Sequence, residues 1–266
     1  TASRNPDAIQ QQILLDALPD YTKFYFLGGS ANWANIRAVL KRNINDLNLY
    51  EEGSYPNSPR SDVWGISDLH LFEEANDVLR ETDAPFFAII HLAGNHRPYT
   101  IPEDNRGFVT EVIEDDVALE NGFDMVDGYN SFRFMDHSLG FLMKIAKEEE
   151  YFANTLFFLT SDNGEIGHVP GPLHPEEALG IAYHHAPFII FGQPLKRRGE
   201  LLDLVGGQMD VMPTILGALG VPAKNTSLGR NLLDPAEALG YAFIHRPWGV
   251  GRELVVLDDE FLLSKK

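Results

Sequence analysis

The chain is expected to fold as an α/β protein whose mostly parallel central sheet carries helices on both faces. Short apolar runs alternate with stretches of helical periodicity, the pattern of strands joined by crossover helices. The runs end in Gly, Asn or Pro, which places turns at the strand ends. A hydrophobic content of 44% and an aromatic content of 11% over 266 residues suit one substantial core, not a disordered chain. Repeats and low-complexity linkers are absent, so residues 1–266 read as a single domain.

Taken in order, the first strand is expected at Lys23–Leu27, where aromatic residues suited to a pleated surface run into Gly28-Gly29. A second follows at Phe86–Leu92. Residues 100–127 are polar, acidic and poor in periodicity, and read as an exposed excursion near a site mouth. A helix is expected from about Tyr129 to Glu148, with Phe134, Leu139, Leu142 and Ile145 on one stripe. Strands are expected at Thr155–Thr160 and Phe188–Phe191. A second helix starts near Asp210, which is placed to cap it, and stops at Gly220. Tyr241–His245 is the last core strand, and Glu253–Leu263 reads as a C-terminal hairpin turning at Asp258-Asp259.

Charge narrows the partners. With 39 acidic and 21 basic residues, the formal net charge is −18, a surface that repels nucleic acid and anionic headgroups. The chain has no cysteine, which removes disulfides, thiol catalysis and Cys-ligated zinc. Its longest apolar runs, such as Phe86–Ile90, are far too short to span a bilayer.

The run Thr155–Glu165 draws most attention. It delivers Asp162 and Asn163 into a Gly turn at the carboxyl end of a strand, where α/β sheets bind ligands. Two hard oxygen donors on one turn suit a divalent cation, although Asp-Asn-Gly is also an ordinary turn sequence. Six of the nine histidines fall in two windows, His91–His96 and His168–His185. His96 stands in the polar turn Gly94-Asn95-His96-Arg97-Pro98-Tyr99, where its imidazole could donate to an anionic ligand. His174 follows Asp162 in a Gly- and Pro-rich loop, and His184 and His185 precede a strand, one of them a structural residue.

Together these segments resemble the sulfatase and alkaline-phosphatase superfamily, in particular its phosphoglycerol-transferase branch of lipoteichoic acid synthase-like proteins. The resemblance rests on Phe26-Leu27-Gly28-Gly29 with Trp33, Asn35 and Arg37, on Trp64-Gly65-Ile66-Ser67-Asp68, and on Asn95-His96-Arg97-Pro98-Tyr99. The Ser161-Asp162-Asn163-Gly164 turn and Gly207–Leu216 complete it, in order along the chain.

The resemblance implies an alkaline-phosphatase-like fold and displacement at phosphorus or sulfur by a metal-activated hydroxyl, through a covalent intermediate. It implies Asp162 and Asn163 as metal ligands and His96 as the catalytic contact to the transferred group. Trp33, Arg37 and His174 are then substrate-binding residues. Asn163 stands where the branch commonly has His. That oxygen donor favours Mn²⁺, Ca²⁺ or Mg²⁺ over Zn²⁺ and leaves sulfuryl as well as phosphoryl substrates open. The substrate is a phospholipid headgroup or a sulfated or phosphorylated glycan, and a catalytically silent lipid- or glycan-binding relative is the third possibility. The nucleophile and an acidic metal ligand belong to a family segment upstream of Thr1. The chain is therefore expected to be the C-terminal portion of a larger, membrane-anchored, extracytoplasmic protein.

Overall fold

The computed structural model describes residues 13–164, 175–196, 198–234, 236, 240–246, 253–258 and 262–265. They fall into two compact units. Of the described residues, the first takes 13, 19–155 and 175–182, and the second takes 14–18, 156–164 and those from 183 onward. No described helix is long and apolar enough to cross a membrane.

In the first unit, β1 (Thr22–Leu27) lies between β2 (Leu47–Tyr50) and β5 (Phe86–His91), parallel to both. Its register with β5 runs from Thr22 opposite Phe86 to Leu27 opposite His91. Alternation along β1 sends side chains to opposite faces. Phe24 and Phe26 pack against Leu71, Ala75 and Leu79 of α2 (Asp68–Arg80). Tyr25 and Leu27 meet Ile36 and Leu40 of α1 (Ile36–Asn43) on the other face. Helices therefore cover this sheet on both sides. Between β2 and α2 lies a short antiparallel hairpin, β3 (Arg60–Asp62) and β4 (Gly65–Ile66).

The helix expected at Tyr129–Glu148 is α4, Val126–Ala146. Leu142 and Ala146 pack with Phe72 of α2, and Ile90 and Leu92 join them from β5 and the residue after it. The excursion at 100–127 is mostly irregular, as expected, with one short helix, α3 (Asp115–Glu120).

The second unit departs from the expected parallel pattern. β6 (Phe157–Thr160) pairs antiparallel with β7 (Phe188–Phe191), the rings of Phe157 and Phe191 stacking 5.0 Å apart. A strand's apolar run signals burial but carries no direction, which only its partner determines. Two short helices follow in chain order. α5 is Pro175–Ala178 in the first unit, and α6 is Val211–Leu219 in the second, ending at Gly220 in the left-handed region, φ 68°. Asp210 does not cap α6 through its side chain. Its carboxylate instead accepts from the Gly207 and Arg230 amides, at 2.8 and 2.6 Å, and pairs with the Arg230 guanidinium at 3.2 Å. The expected C-terminal hairpin is β9 (Glu253–Asp258) with β10 (Leu262–Lys265), and β9 also pairs antiparallel with β8 (Tyr241–Arg246). The Asp259 end of its turn lies outside the described residues.

Phe26 is fully buried at the centre of the first unit. Phe26→Ala is expected to destabilise that unit by about 3–5 kcal/mol in urea denaturation, and a loss below about 1 kcal/mol would contradict the packing described.

Candidate functional site

The three segments of the first unit that carry the resemblance meet at one place. Gly28-Gly29, just past the end of β1, runs against the β3–β4 hairpin so closely that side chains are excluded. A Cβ on Gly29 would strike the Trp64 carbonyl, and one on Gly65 would strike the Gly28 carbonyl. Gly65 also takes φ 107°, a left-handed conformation that glycine adopts without strain. The Ile66 amide donates to the Gly28 carbonyl at 3.2 Å and ties the two segments together.

The hairpin leads into α2, and the junction reaches the His96 turn. Ser67 caps α2, its hydroxyl accepting from the His70 amide and lying 2.8 Å from His70 Nδ1. Asp68 follows at the positive end of the helix dipole, fully buried. Its Oδ1 accepts from the amides of Ala93 (3.0 Å) and Gly94 (3.1 Å), and Oδ2 accepts from Gly94 at 3.1 Å. A Cβ on Gly94 would stand 2.5 Å from Oδ2, so glycine is needed for this approach. From α4, Ser131 donates to the Gly94 carbonyl at 2.6 Å. Burial pushes the Asp68 carboxyl up to about 6, against the pull of the two amides, and the nearby Asp62 pushes the same way.

Past Gly94 the turn closes on itself, the His96 amide donating to the Ala93 carbonyl and the Tyr99 amide to the His96 carbonyl. The His96 ring lies 4.2 Å, centroid to centroid, from the indole of Trp64. Trp33 meets the same indole edge-on at 5.7 Å. The result is a row of two indoles and an imidazole, with Trp33 58% exposed at its outer end. The Arg97–Pro98 peptide is cis. Beyond it, Tyr99 and Ile101 line an open cleft of about 400 Å³ with Glu111, Val112 and Asp127.

Arg37, expected to contact substrate, is also tied inward. Its guanidinium donates to both carboxylate oxygens of Glu51 at 2.7 Å and to Asn32 Oδ1 at 2.8 Å. Those bonds hold the Glu51 carboxyl below its ordinary range. Glu51 in turn accepts from the Ala31 amide, so the pair anchors the loop that presents Trp33.

In the second unit, Asp162 and Asn163 follow β6 as expected. Gln208 donates to the backbone carbonyls of Asp162 (2.7 Å) and Ser161 (3.3 Å), and the Gly164 amide donates to the Tyr183 carbonyl. Asn163 spends its Nδ2 on the Gly164 carbonyl, leaving the amide oxygen outside that bond. The Asp162 carboxylate is on the exposed side of the turn and makes no hydrogen bond or ion pair among the described residues. The described residues contain no cluster of three or more His, Asp or Glu that could hold a metal, and His168 and His174 lie outside them. The donors present, a carboxylate and an amide oxygen, fit a hard cation of the Mg²⁺, Ca²⁺ or Mn²⁺ kind.

Trp64 and Asp68 are legible in the sequence only as parts of a motif. Neither the indole contact to His96, 32 positions away, nor the burial of Asp68 has a local signature.

The raised Asp68 value makes a prediction about stability. The folded state binds this proton more tightly than the unfolded chain does. The contribution of Asp68 is therefore most favourable at low pH and declines as pH rises from about 4 to about 6. The swing is about 3 kcal/mol for a shift from 3.8 to about 6. Urea denaturation of the protein and of Asp68→Asn, at several pH values between about 3 and 7, should show their stability difference changing by that order. A difference that stays constant with pH would contradict the assignment.

A family model described as Sulfatase matches residues 11–221. Among curated relatives, the lipoteichoic acid synthase-like YvgJ of Bacillus subtilis is 26% identical over 189 residues, covering 65% of this chain and 29% of YvgJ. The lipoteichoic acid synthase of Staphylococcus saprophyticus is 27% identical over 236 residues, covering 83% of this chain and 34% of its own length. The chain thus spans about a third of the length of these relatives. Among solved structures, a protein of the alkaline phosphatase superfamily from Vibrio parahaemolyticus is similar with a TM-score of 0.73 at 23% identity, over 99% of this chain and 62% of that one. The lipoteichoic acid synthase LtaP from Listeria monocytogenes is similar with a TM-score of 0.71 at 18% identity, over 96% and 67%. These likenesses establish an alkaline-phosphatase-like fold, and the family match covers most of the chain. The chain belongs to the sulfatase family, and the curated relatives it resembles are lipoteichoic acid synthases or proteins like them.

Proposed function

We propose that this chain is part of an enzyme that transfers a phosphoglycerol-type group, with a divalent metal and through a covalent intermediate, at the outer face of a bacterial membrane. The observation that carries this reading is the row of Trp33, Trp64 and His96, brought together from three segments, in a chain whose curated relatives are lipoteichoic acid synthases or proteins like them. An exposed indole offers its face to the C–H groups of a glycerol or sugar, and a neighbouring imidazole supplies a hydrogen bond to an anionic oxygen.

In this reading His96 donates to an oxygen of the transferred group or to the leaving group, where negative charge develops. Trp33 packs against the headgroup. Arg37, besides anchoring the Trp33 loop through Glu51, contributes positive charge toward the anionic substrate. Asp162 and Asn163 would hold the metal through their side-chain oxygens. Such an ion, when bound, neutralises charge on the group in transfer and lowers the pKa of a hydroxyl nucleophile. His174 is retained as a further substrate contact. The substrate is a phospholipid headgroup, and the protein acts in the extracytoplasmic part of the cell envelope, held to the membrane by a region outside these residues.

A sulfatase-type hydrolase acting on sulfated glycans is the second reading, favoured by Asn163, the amide-oxygen donor. Assays of the complete protein with phosphatidylglycerol, an aryl phosphodiester and an aryl sulfate, in Mn²⁺, separate the two. Turnover of phosphatidylglycerol without sulfate release is expected, with kcat in His96→Ala reduced by roughly 100-fold or more. Sulfate release would move the assignment to the hydrolase. Failure to bind any divalent cation, with Asp162→Ala as the comparison, would indicate a silent lipid- or glycan-binding relative.

A further inference from the structure

We propose that the segment Trp64–Asp68 is a clamp that positions His96, with Trp64 the residue that sets the direction of the imidazole. The inference rests on the role proposed above for His96 and adds the device that holds it.

The clamp grips the turn on both sides of His96. At the near end, Asp68 takes the amides of Ala93 and Gly94. At the far end, the Trp64 indole Nε1–H donates to the Arg97 carbonyl at 2.7 Å. Between those anchors the His96 amide is bonded to Ala93, so the backbone carrying the imidazole is fixed before and after the residue. That leaves the side-chain torsions of His96, and the tilted packing against the indole, ring centroids 4.2 Å apart, constrains these. One side chain therefore does both jobs, holding the turn through its N–H and the ring through its π surface.

Trp64 is itself held. Its amide donates to Asp62 Oδ1 at 2.7 Å. Its carbonyl lies against Gly29, where no side chain could intervene. The carbonyl that its indole N–H reaches belongs to the residue next to His96, so the bond and the ring contact act on the same turn. Phenylalanine would keep an aromatic ring but could not make that bond, so the two functions are separable by substitution. Trp64 is thus a positioning residue that acts through His96.

The test uses the whole chain in four forms besides the wild type: Trp64→Phe, Trp64→Ala, His96→Ala and the double variant Trp64→Ala/His96→Ala. NMR of the His96 ring protons reads the geometry without any ligand. In the wild type these protons should be displaced by the indole ring current, and in Trp64→Ala they should move to the positions of a freely rotating imidazole. Titration with glycerol 1-phosphate in Mn²⁺ reads the consequence. Affinity should fall about threefold in Trp64→Phe and about tenfold in Trp64→Ala, and the double variant should bind no more weakly than His96→Ala alone. Trp64→Phe keeps the ring, and so guards against a variant that simply fails to fold. Unchanged His96 signals in Trp64→Ala, or additive losses in the double variant, would overturn the clamp. An undiminished affinity in His96→Ala would instead count against the role proposed for His96, while the ring signals still decide whether Trp64 positions it.

Discussion

A backbone contact that only glycine permits organises the first unit. Gly28-Gly29 lies so close to Trp64-Gly65 that each segment occupies the space where the other's side chains would stand. The contact joins the end of the central strand to the hairpin before α2. It therefore fixes where Trp64 and Asp68 emerge, and through them the turn that follows β5. The core supplies the rest of the rigidity. Phe26, buried in the same strand that runs into Gly28, packs with Leu71 and Ala75 of α2. A displacement of that helix would be felt at Asp68 and at the hydrophobic centre together.

Asp68 shows what such positioning costs. A buried carboxylate is normally paired with a cation, but among the described residues backbone amides and the helix N-terminus are what offset the loss of water. The fold is therefore less stable with the carboxylate charged than it would be with the group neutral. What the carboxylate secures in return is a fixed path for the Ala93–Gly94 backbone, which a neutral apolar side chain could not provide. Strain or cost of this kind is expected where a site must be held more precisely than packing alone allows.

The parts of the fold legible in the sequence were those with a local physical signature. The runs at 23–27, 86–92 and 188–191 announce strands because β-prone apolar residues stop at Gly, Asn or Pro. The long helix and the C-terminal hairpin were visible for similar reasons. Helix α2 is absent from the elements expected from sequence; it buries polar His70 and Asn76 beside Leu69, Phe72, Ala75 and Leu79. The antiparallel β6–β7 pair was illegible because direction belongs to a pair of strands. Among the candidate residues, His96, Trp33 and Arg37 of the first unit and Asp162 and Asn163 of the second stand out by residue type and motif. The inward bonds of Arg37 to Glu51, the burial of Asp68 and the contact of Trp64 with His96 are tertiary facts, which no window of sequence contains.

The central claim is that the glycine contact, the hairpin and the His96 turn behave as one mechanical unit. Native-state hydrogen exchange in the wild type and in Gly65→Ala tests it directly, because Gly65 faces the Gly28 carbonyl while its neighbours Trp64 and Asp68 bond to the turn. Protection of the Gly94 and His96 amides should fall together with that of Ile66. Loss of protection at Ile66 with Gly94 and His96 unchanged would contradict the account.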